Sequence, residues 1–136
     1  MIRFDRMTEG AQELFHEAQD LLARYKHNQL DVEHLFTVQC TKEGVGRQIL
    51  EQMGVNLPGL AHDLDRLLRA KPSVSGPVGT QIYITPRLDA VVTEAQTEAE
   101  RLRDEYVGIE HLLLAISRTT DPALKRVLDR TVLRAA

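Results

Sequence analysis

Tryptophan is missing from this chain, cysteine occurs once, and aromatic residues make up only 4% of 136 positions. With so few rings, a core must be built from Leu, Val, Ile and Ala, which favours packed helices over a β-sandwich. A lone Cys40 cannot close an internal disulfide, so a reducing compartment is the simplest setting. No sequence neighbour activates its thiol, and an inert, half-buried role is expected. Nowhere does the chain approach the roughly 18 consecutive apolar residues of a membrane span. Met1 to Gly10 holds no apolar run of signal-peptide length. The expectation is a cytoplasmic protein with no membrane partner. Positive charge is also in short supply. The net charge of -3 provides no global field to recruit nucleic acid or anionic lipid. What remains, 43% apolar and 27% charged residues, is the composition of an ordinary globular chain of about one domain.

Internal similarity is the most informative feature present. A shift of 77 positions lays Thr8 on Thr85, Glu17-Ala18-Gln19 on Glu94-Ala95-Gln96, Arg24 on Arg101, and Glu33-His34-Leu35 on Glu110-His111-Leu112. From Thr8 to Cys40, eight of 33 positions are identical, where chance gives about two. Others exchange one apolar residue for another, as Leu14 with Val91, Leu30 with Val107 and Val32 with Ile109. The chain is therefore a tandem duplication of a helical unit. Repeat one covers about 4–70, a linker 71–84, and repeat two about 85–136.

Within each unit the apolar spacing is helical. Ala11, Leu14, Phe15, Ala18, Leu22 and Tyr25 share one face, and Leu88, Val91, Val92, Ala95, Ala99 and Leu102 are their partners. Thr8 and Thr85 are placed as N-caps, and Pro86 suits a first helical position. Asp31 and Gly108 open second helices, Val32 to about Cys40 and Ile109 to about Ser117. A third helix is expected over Val45–Met53, stopped by Gly54. Asn56 caps a fourth, with Leu57, Leu60, Leu64, Leu67 and Leu68 as its stripe. Asp121-Pro122 opens a helix through about Leu133. The second unit has no counterpart of the fourth helix, so either the natural chain continues past Ala136 or the repeat is incomplete. Pro72, Ser73, Ser75, Gly76, Pro77 and Gly79 break regular structure in the linker. The fold class is all-α: a tandem repeat of a four-helix unit packed as a pseudo-twofold single domain.

Two stretches carry a wider resemblance. One is Asn28-Gln29-Leu30-Asp31-Val32-Glu33-His34-Leu35-Phe36. The other is Asp104-Glu105-Tyr106-Val107-Gly108-Ile109-Glu110-His111-Leu112-Leu113. Together with Phe4-x-Arg6-Met7-Thr8 and Ile84-Thr85-Pro86-Arg87-Leu88, they resemble the Clp N-terminal domain, a double repeat at the head of Clp AAA+ unfoldases. The match covers nearly the whole chain. Asp104 to Val107 and Leu68 to Gly76 look closer to the ClpB disaggregase branch, with the protease-partner ClpC or ClpA branch as the alternative. The family's ATPase modules are absent from this chain. No Gly-x-x-x-x-Gly-Lys-Ser/Thr loop occurs, nor any Gly-Lys pair. A binding domain rather than an enzyme is expected, without cofactor or metal.

The resemblance implies ligand sites on both repeats at Thr8, Glu33, Thr85 and Glu110. Thr8 precedes Glu33 by 25 residues, and Thr85 precedes Glu110 by the same distance. A helix start with a hydroxyl suits phosphate, and a carboxylate suits a guanidinium. Protease-partner members grip arginine-phosphorylated substrates this way, whereas the disaggregase branch implicates Thr8, Asp104 and Glu110. Gly10 departs from the family pattern and loosens the first helical turn. Glu33 and Glu110 also have a plainer reading, as carboxylates complementing the positive ends of helices. His34 and His111 fit no zinc spacing and are expected to bond locally and fix the helix starts. A seam between the copies can leave an apolar groove near Leu30, Val107, Ile82, Tyr83 and Ile84, although the same residues can simply close the core. The implied partners are misfolded or tagged proteins, adaptors, and the hexameric AAA+ ring of a parent protein. The charge run Glu94, Glu98, Glu100, Arg101, Arg103, Asp104, Glu105 reads as a solvated helix face. Arg118, Lys125, Arg126, Arg130 and Arg134 give a rival helix-turn-helix reading, a nucleic-acid binder, which Asp121, Asp129 and the acidic chain oppose.

Overall fold

A computed structural model describes residues 2–74 and 82–130. A short 3-10 turn at Phe4–Arg6 leads into α1 (Glu9–Tyr25), which is followed by β1 (Gln29–Leu30), α2 (Val32–Thr41), α3 (Val45–Gln52) and α4 (Leu57–Arg69). The second unit runs β2 (Tyr83–Ile84), α5 (Pro86–Arg101), α6 (Ile109–Ser117) and α7 (Pro122–Asp129). Helices α1, α2 and α3 correspond to α5, α6 and α7, and α4 has no counterpart among the described residues. The fold is all-α, as the spacing indicates. Ser75 to Gln81 of the expected linker, and Leu133 at the expected end of the last helix, lie outside the described residues.

Local chemistry sets the helix starts. Thr8 and Thr85 accept the Ala11 and Leu88 N–H groups at 3.1 Å, Asn56 accepts from Gly59, and Asp121 from Leu124. Each satisfies a first-turn donor that has no partner inside the helix. The first helix of each unit ends in the same way. Lys26 and Arg103, 77 positions apart, both take left-handed backbone, φ 56 and 61. In that turn His27 N–H reaches Leu22 O at 3.0 Å, and Asp104 N–H reaches Ala99 O at 2.8 Å. The turn folds His27 and Asp104 back toward the next helix start.

The two short strands were not legible as strands and bear on everything that follows. β1 and β2 pair in parallel, Gln29 with Tyr83 and Leu30 with Ile84. The pseudo-twofold mate is a bridge between Met7 and Val107. Each repeat therefore lends its lead-in segment to the loop of the other. Parallel neighbours need a long crossover, and here an entire helical unit supplies it.

The core is aliphatic, with Leu22, Leu35, Leu64, Leu88, Leu112 and Ile116 fully buried around Phe15 and Phe36. Leu30 and Val107 are 1% and 3% exposed. Of the apolar groove candidates, these two close the core, because their strand pairing turns them inward. Tyr83 (54% exposed) and Ile84 (39%) stay at the surface, and Ile82 is partly buried. The cost of emptying this core is testable: Leu35→Ala should lower stability by about 3 kcal/mol in urea unfolding, with helical content retained in the folded protein.

Candidate functional site

The predicted couples, Thr8 with Glu33 and Thr85 with Glu110, are not the pairs the fold assembles. α1 carries the chain about 25 Å from Thr8 before α2 begins, so Thr8 and Glu33 stand at opposite ends of that helix. Crossed strand pairing supplies the missing neighbour. Thr85 N–H donates to Leu30 O at 3.1 Å, one residue before Asp31, and Thr8 N–H donates to Val107 O at 2.9 Å, one residue before Gly108. The couples are thus Thr85 with the Glu33 helix start and Thr8 with the Glu110 helix start.

The first of these sites is filled by the chain's own cations. Thr85 Oγ1 donates to Asp31 Oδ1 at 2.9 Å. The Arg87 guanidinium spans two carboxylates, reaching Asp31 Oδ2 at 2.9 Å and Glu33 Oε2 at 3.1 Å, and a third, Asp121 Oδ2, at 3.3 Å. Lys71 Nζ lies 2.8 Å from Asp31 Oδ2 and 3.3 Å from Glu33 Oε1. Glu33 is only 3% exposed. Burial alone would raise the Asp31 carboxyl, but the Lys71 hydrogen bond, the Val32 N–H and the charges of Lys71 and Arg87 outweigh it. Its pKa is held below the usual carboxylate range.

Behind this cluster lie two histidines. Asp31 N–H donates to His34 Nδ1 at 3.0 Å, which leaves the proton of a neutral ring on Nε2, 2.8 Å from His27 Nδ1. Burial, the neighbouring His27 and the Lys71 charge push His34 down to about 4. The second unit repeats the device with one change. Gly108 N–H donates to His111 Nδ1 at 2.8 Å, and His111 Nε2 meets Asp104 Oδ2 at 2.8 Å. Asp104 occupies the place of His27. Both histidines therefore fix helix starts, and among the described residues no group of three or more candidate ligands could hold a metal. Burial pushes the Cys40 thiol up to about 12, which accords with an inert thiol.

The second site is open. Asp31 is replaced by Gly108 and Arg87 by Gly10, so neither the extra carboxylate nor the guanidinium is present. The Glu110 side chain is 58% exposed, with His111 Nδ1 at 3.5 Å. It curls over its own helix start: a Cβ on Gly108 would stand 2.4 Å from Glu110 Oε1. Asp104 and Val107 line an adjoining depression of about 410 Å³ with Arg3, Arg6 and Glu100.

Two sequence readings change. Glu98, expected on a solvated face, is 6% exposed and held by Arg101 at 2.7 Å and by Arg118. In the basic stripe, Arg118 faces Glu94 and Glu98, and Arg130 lies 3.5 Å from Asp63. Arg134 lies outside the described residues. The asymmetric roles of Arg87 and Lys71 escaped the sequence, since Lys71 reads as linker and Arg87 as an ordinary first-turn residue.

These features define a class: an all-α, tandemly repeated module with two homologous polar helix starts at its seam. The chain belongs to the Clp repeat (R) N-terminal domain family, whose model matches residues 6–131. Among curated relatives, the chaperone protein ClpB of Nitratidesulfovibrio vulgaris is 37% identical over 114 residues, 82% of this chain and 13% of the relative. That of Bacillus anthracis is 35% identical over 116 residues, 83% and 13%. The chain thus spans 13% of the length of these relatives. Among solved structures, the Hsp104 N-terminal domain from Candida albicans aligns with a TM-score of 0.74 at 19% identity, covering 91% of this chain and 80% of that one. The N-terminal domain of ClpD from Arabidopsis thaliana aligns at 0.71 and 18%, covering 94% and 88%. These likenesses show a shared fold. The Clp N-terminal domain is a separate, non-catalytic domain of ClpB ATPases.

The buried cluster makes two measurable demands on stability. Arg87→Ala leaves Asp31 and Glu33 buried with one cation fewer, and should cost about 2 kcal/mol in urea unfolding, a value discounted for the partial exposure of Arg87. His34 binds its proton less readily folded than unfolded, so the unfolded state gains protons first on acidification. Stability should fall by about 2 kcal/mol between pH 7 and pH 5. The slope should flatten in His34→Gln, measured by unfolding at each pH. A flat wild-type profile across that window would contradict the buried neutral pair.

Proposed function

We propose that this domain captures misfolded or tagged polypeptides, or adaptors bearing them, for a hexameric Clp unfoldase of the ClpB kind. The observation carrying this reading is the inequality of two homologous sites. One is saturated by internal cations, whereas its twin presents Thr8, Asp104 and Glu110 around an open helix start where, among the described residues, no guanidinium is paired with Glu110. The filled site also displays the chemistry its twin can accept: a cation bridging carboxylates, beside a threonine hydroxyl and backbone donors. The task in this reading is binding and release. Weak affinity per domain is expected, because a ring of such domains gains avidity by multivalency.

The protease-partner reading, recognition of phosphoarginine tags, draws support from the same geometry, since Arg87 demonstrates a guanidinium seated on Glu33. In this chain that reading is confined to the Glu110 side. Calorimetry with reduced, carboxymethylated α-lactalbumin and with a phosphoarginine peptide separates the two. The disaggregase-like reading expects the unfolded protein to bind, with at least a tenfold loss in the Asp104→Ala, Glu110→Ala double variant. A phosphoarginine peptide bound at one site per chain, with no affinity for the unfolded protein, would favour the protease-partner mode instead. Binding of neither probe would overturn both.

A further inference from the structure

Beside the open site, a cleft of about 260 Å³ runs along α1 between Gly10, Glu13 and Glu17 on one wall and the α2–α3 turn on the other, with Ile109 at its end. Three observations distinguish it from ordinary surface. Gln39, in its lining, is only 3% exposed, yet neither its Nε2 nor its Oε1 has a hydrogen-bond partner. Its counterpart in the second unit is Ile116, fully buried, so the fold itself accepts an apolar residue there. A buried orphan amide weakens the folded state, and its retention in the cleft points to a partner that satisfies it.

The second observation is charge. Glu13, Glu17 and Glu43 line the cleft with one neighbouring cation, Lys42, and among the described residues none of the three glutamates is ion-paired within the chain. Arg47, also in the lining, is engaged by Glu51 at 3.0 Å. In the second unit the counterpart of Glu17 is Glu94, which Arg118 meets at 3.5 Å. The residue matching Arg118 in the first unit is Thr41, and the residue matching Arg87 is Gly10. At this position the first copy thus keeps a carboxylate, Glu17, without the arginine that meets Glu94 in the second copy. The third observation is shape. A Cβ at Gly10 would sit 3.5 Å from Ile109 Cδ1, ordinary contact, so the glycine leaves space that a side chain could fill without clash. Val45, 49% exposed, adds an apolar patch.

We propose that this cleft receives an extended substrate segment in which basic and aliphatic residues alternate. Arginine or lysine side chains pair with Glu13, Glu17 and Glu43, an aliphatic side chain rests on Val45 and Ile109 over Gly10, and a peptide group of the segment satisfies Gln39. The proposal deepens the reading of the domain as a polypeptide-capture module and rests on it. The three carboxylates outnumber Lys42, the lining cation that has no ion pair among the described residues, and select the cationic segments of an unfolded chain, while the Glu110 site lies at the cleft's end.

The test uses the 136-residue chain with two fluorescent decapeptides, one alternating Leu and Arg, the other Leu and Glu. Anisotropy should show the Leu-Arg peptide binding at least tenfold tighter than the Leu-Glu peptide, with affinity falling as salt rises. Gly10→Leu fills the cleft while improving helix propensity, so it should remain folded by circular dichroism and lose binding at least tenfold. Glu13→Gln with Glu17→Gln should do the same, whereas Glu94→Gln, on the matching helix of the second unit, should not. Gln39→Leu should raise Tm while weakening binding. Equal binding of both peptides, or undiminished binding in Gly10→Leu, overturns the cleft assignment. Carboxymethylated α-lactalbumin bound by the same Gly10→Leu sample would leave the capture reading standing, and loss of all polypeptide binding by the wild-type chain would remove both.

Discussion

The crossing of lead-in segments is the constraint from which the rest of this structure follows. Each repeat places the threonine that opens its first helix against the loop of the other repeat, through Thr85 to Leu30 and Thr8 to Val107. Each unit caps its own helices, and the exchange adds a backbone bond from the other unit's lead-in to the loop before each second helix. The bonds are few, but each ties segments 54 or more residues apart, such as Thr85 and Asp31. At the first site the exchange delivers Arg87 and Thr85 from one copy onto Asp31 and Glu33 of the other. That ion cluster is therefore also the joint between the repeats. A buried carboxylate pair is tolerable only with cations and donors arranged around it, and here both cations come from the opposite unit or the segment leading to it.

Duplication explains why one joint is closed and the other open. After copying, two homologous helix starts can diverge under different demands. One carries an aspartate at its cap and an arginine facing it, and holds the two repeats together. The other holds glycines at the equivalent places, Gly10 and Gly108, leaving a carboxylate without an internal guanidinium. The same division separates the outer walls of the first helices. Arg118 binds Glu94 and Glu98 in the second copy, and Thr41 leaves Glu17 without such a cation in the first. Internal pseudo-symmetry thus acts as a control: the second copy displays the saturated form of a surface that the first copy leaves unfilled.

Much of this was legible in the sequence. The helices follow from 3.6-residue spacing, their starts from Thr8, Asn56, Thr85 and Asp121, and the duplication from a fixed offset of 77. Three things were not legible, for physical reasons. Two-residue strands have no periodicity to detect, so the parallel pairs went unseen, and with them the crossed couples. Sequence proximity favoured pairing Thr8 with Glu33, but a rigid 17-residue helix separates them. Finally, burial of a charge depends on partners distant along the chain. Glu33 and Glu98 look solvated beside their neighbours and become buried only because Arg87, Lys71 and Arg118 arrive from elsewhere. The offset itself held one further clue, since Lys26 and Arg103 share a left-handed backbone at equivalent positions.

An uneven pair of sites suits a module at the head of a ring machine. A domain with two equal, open sites could cross-link one substrate to itself or hold it through both. Under the proposed capture role, a single open edge would give a weak and directional grip with little cost of release. In that role, tight holding would arise only when several domains of a ring engage one polypeptide, because effective concentration multiplies modest affinities. Closing one site internally also removes the need for a ligand to stabilise the fold, since Arg87 and Lys71 already neutralise the buried carboxylates. The open site is then free to be empty. A binding surface that must cycle between loaded and unloaded states cannot also be the joint holding the domain together, and the two copies divide these tasks between them.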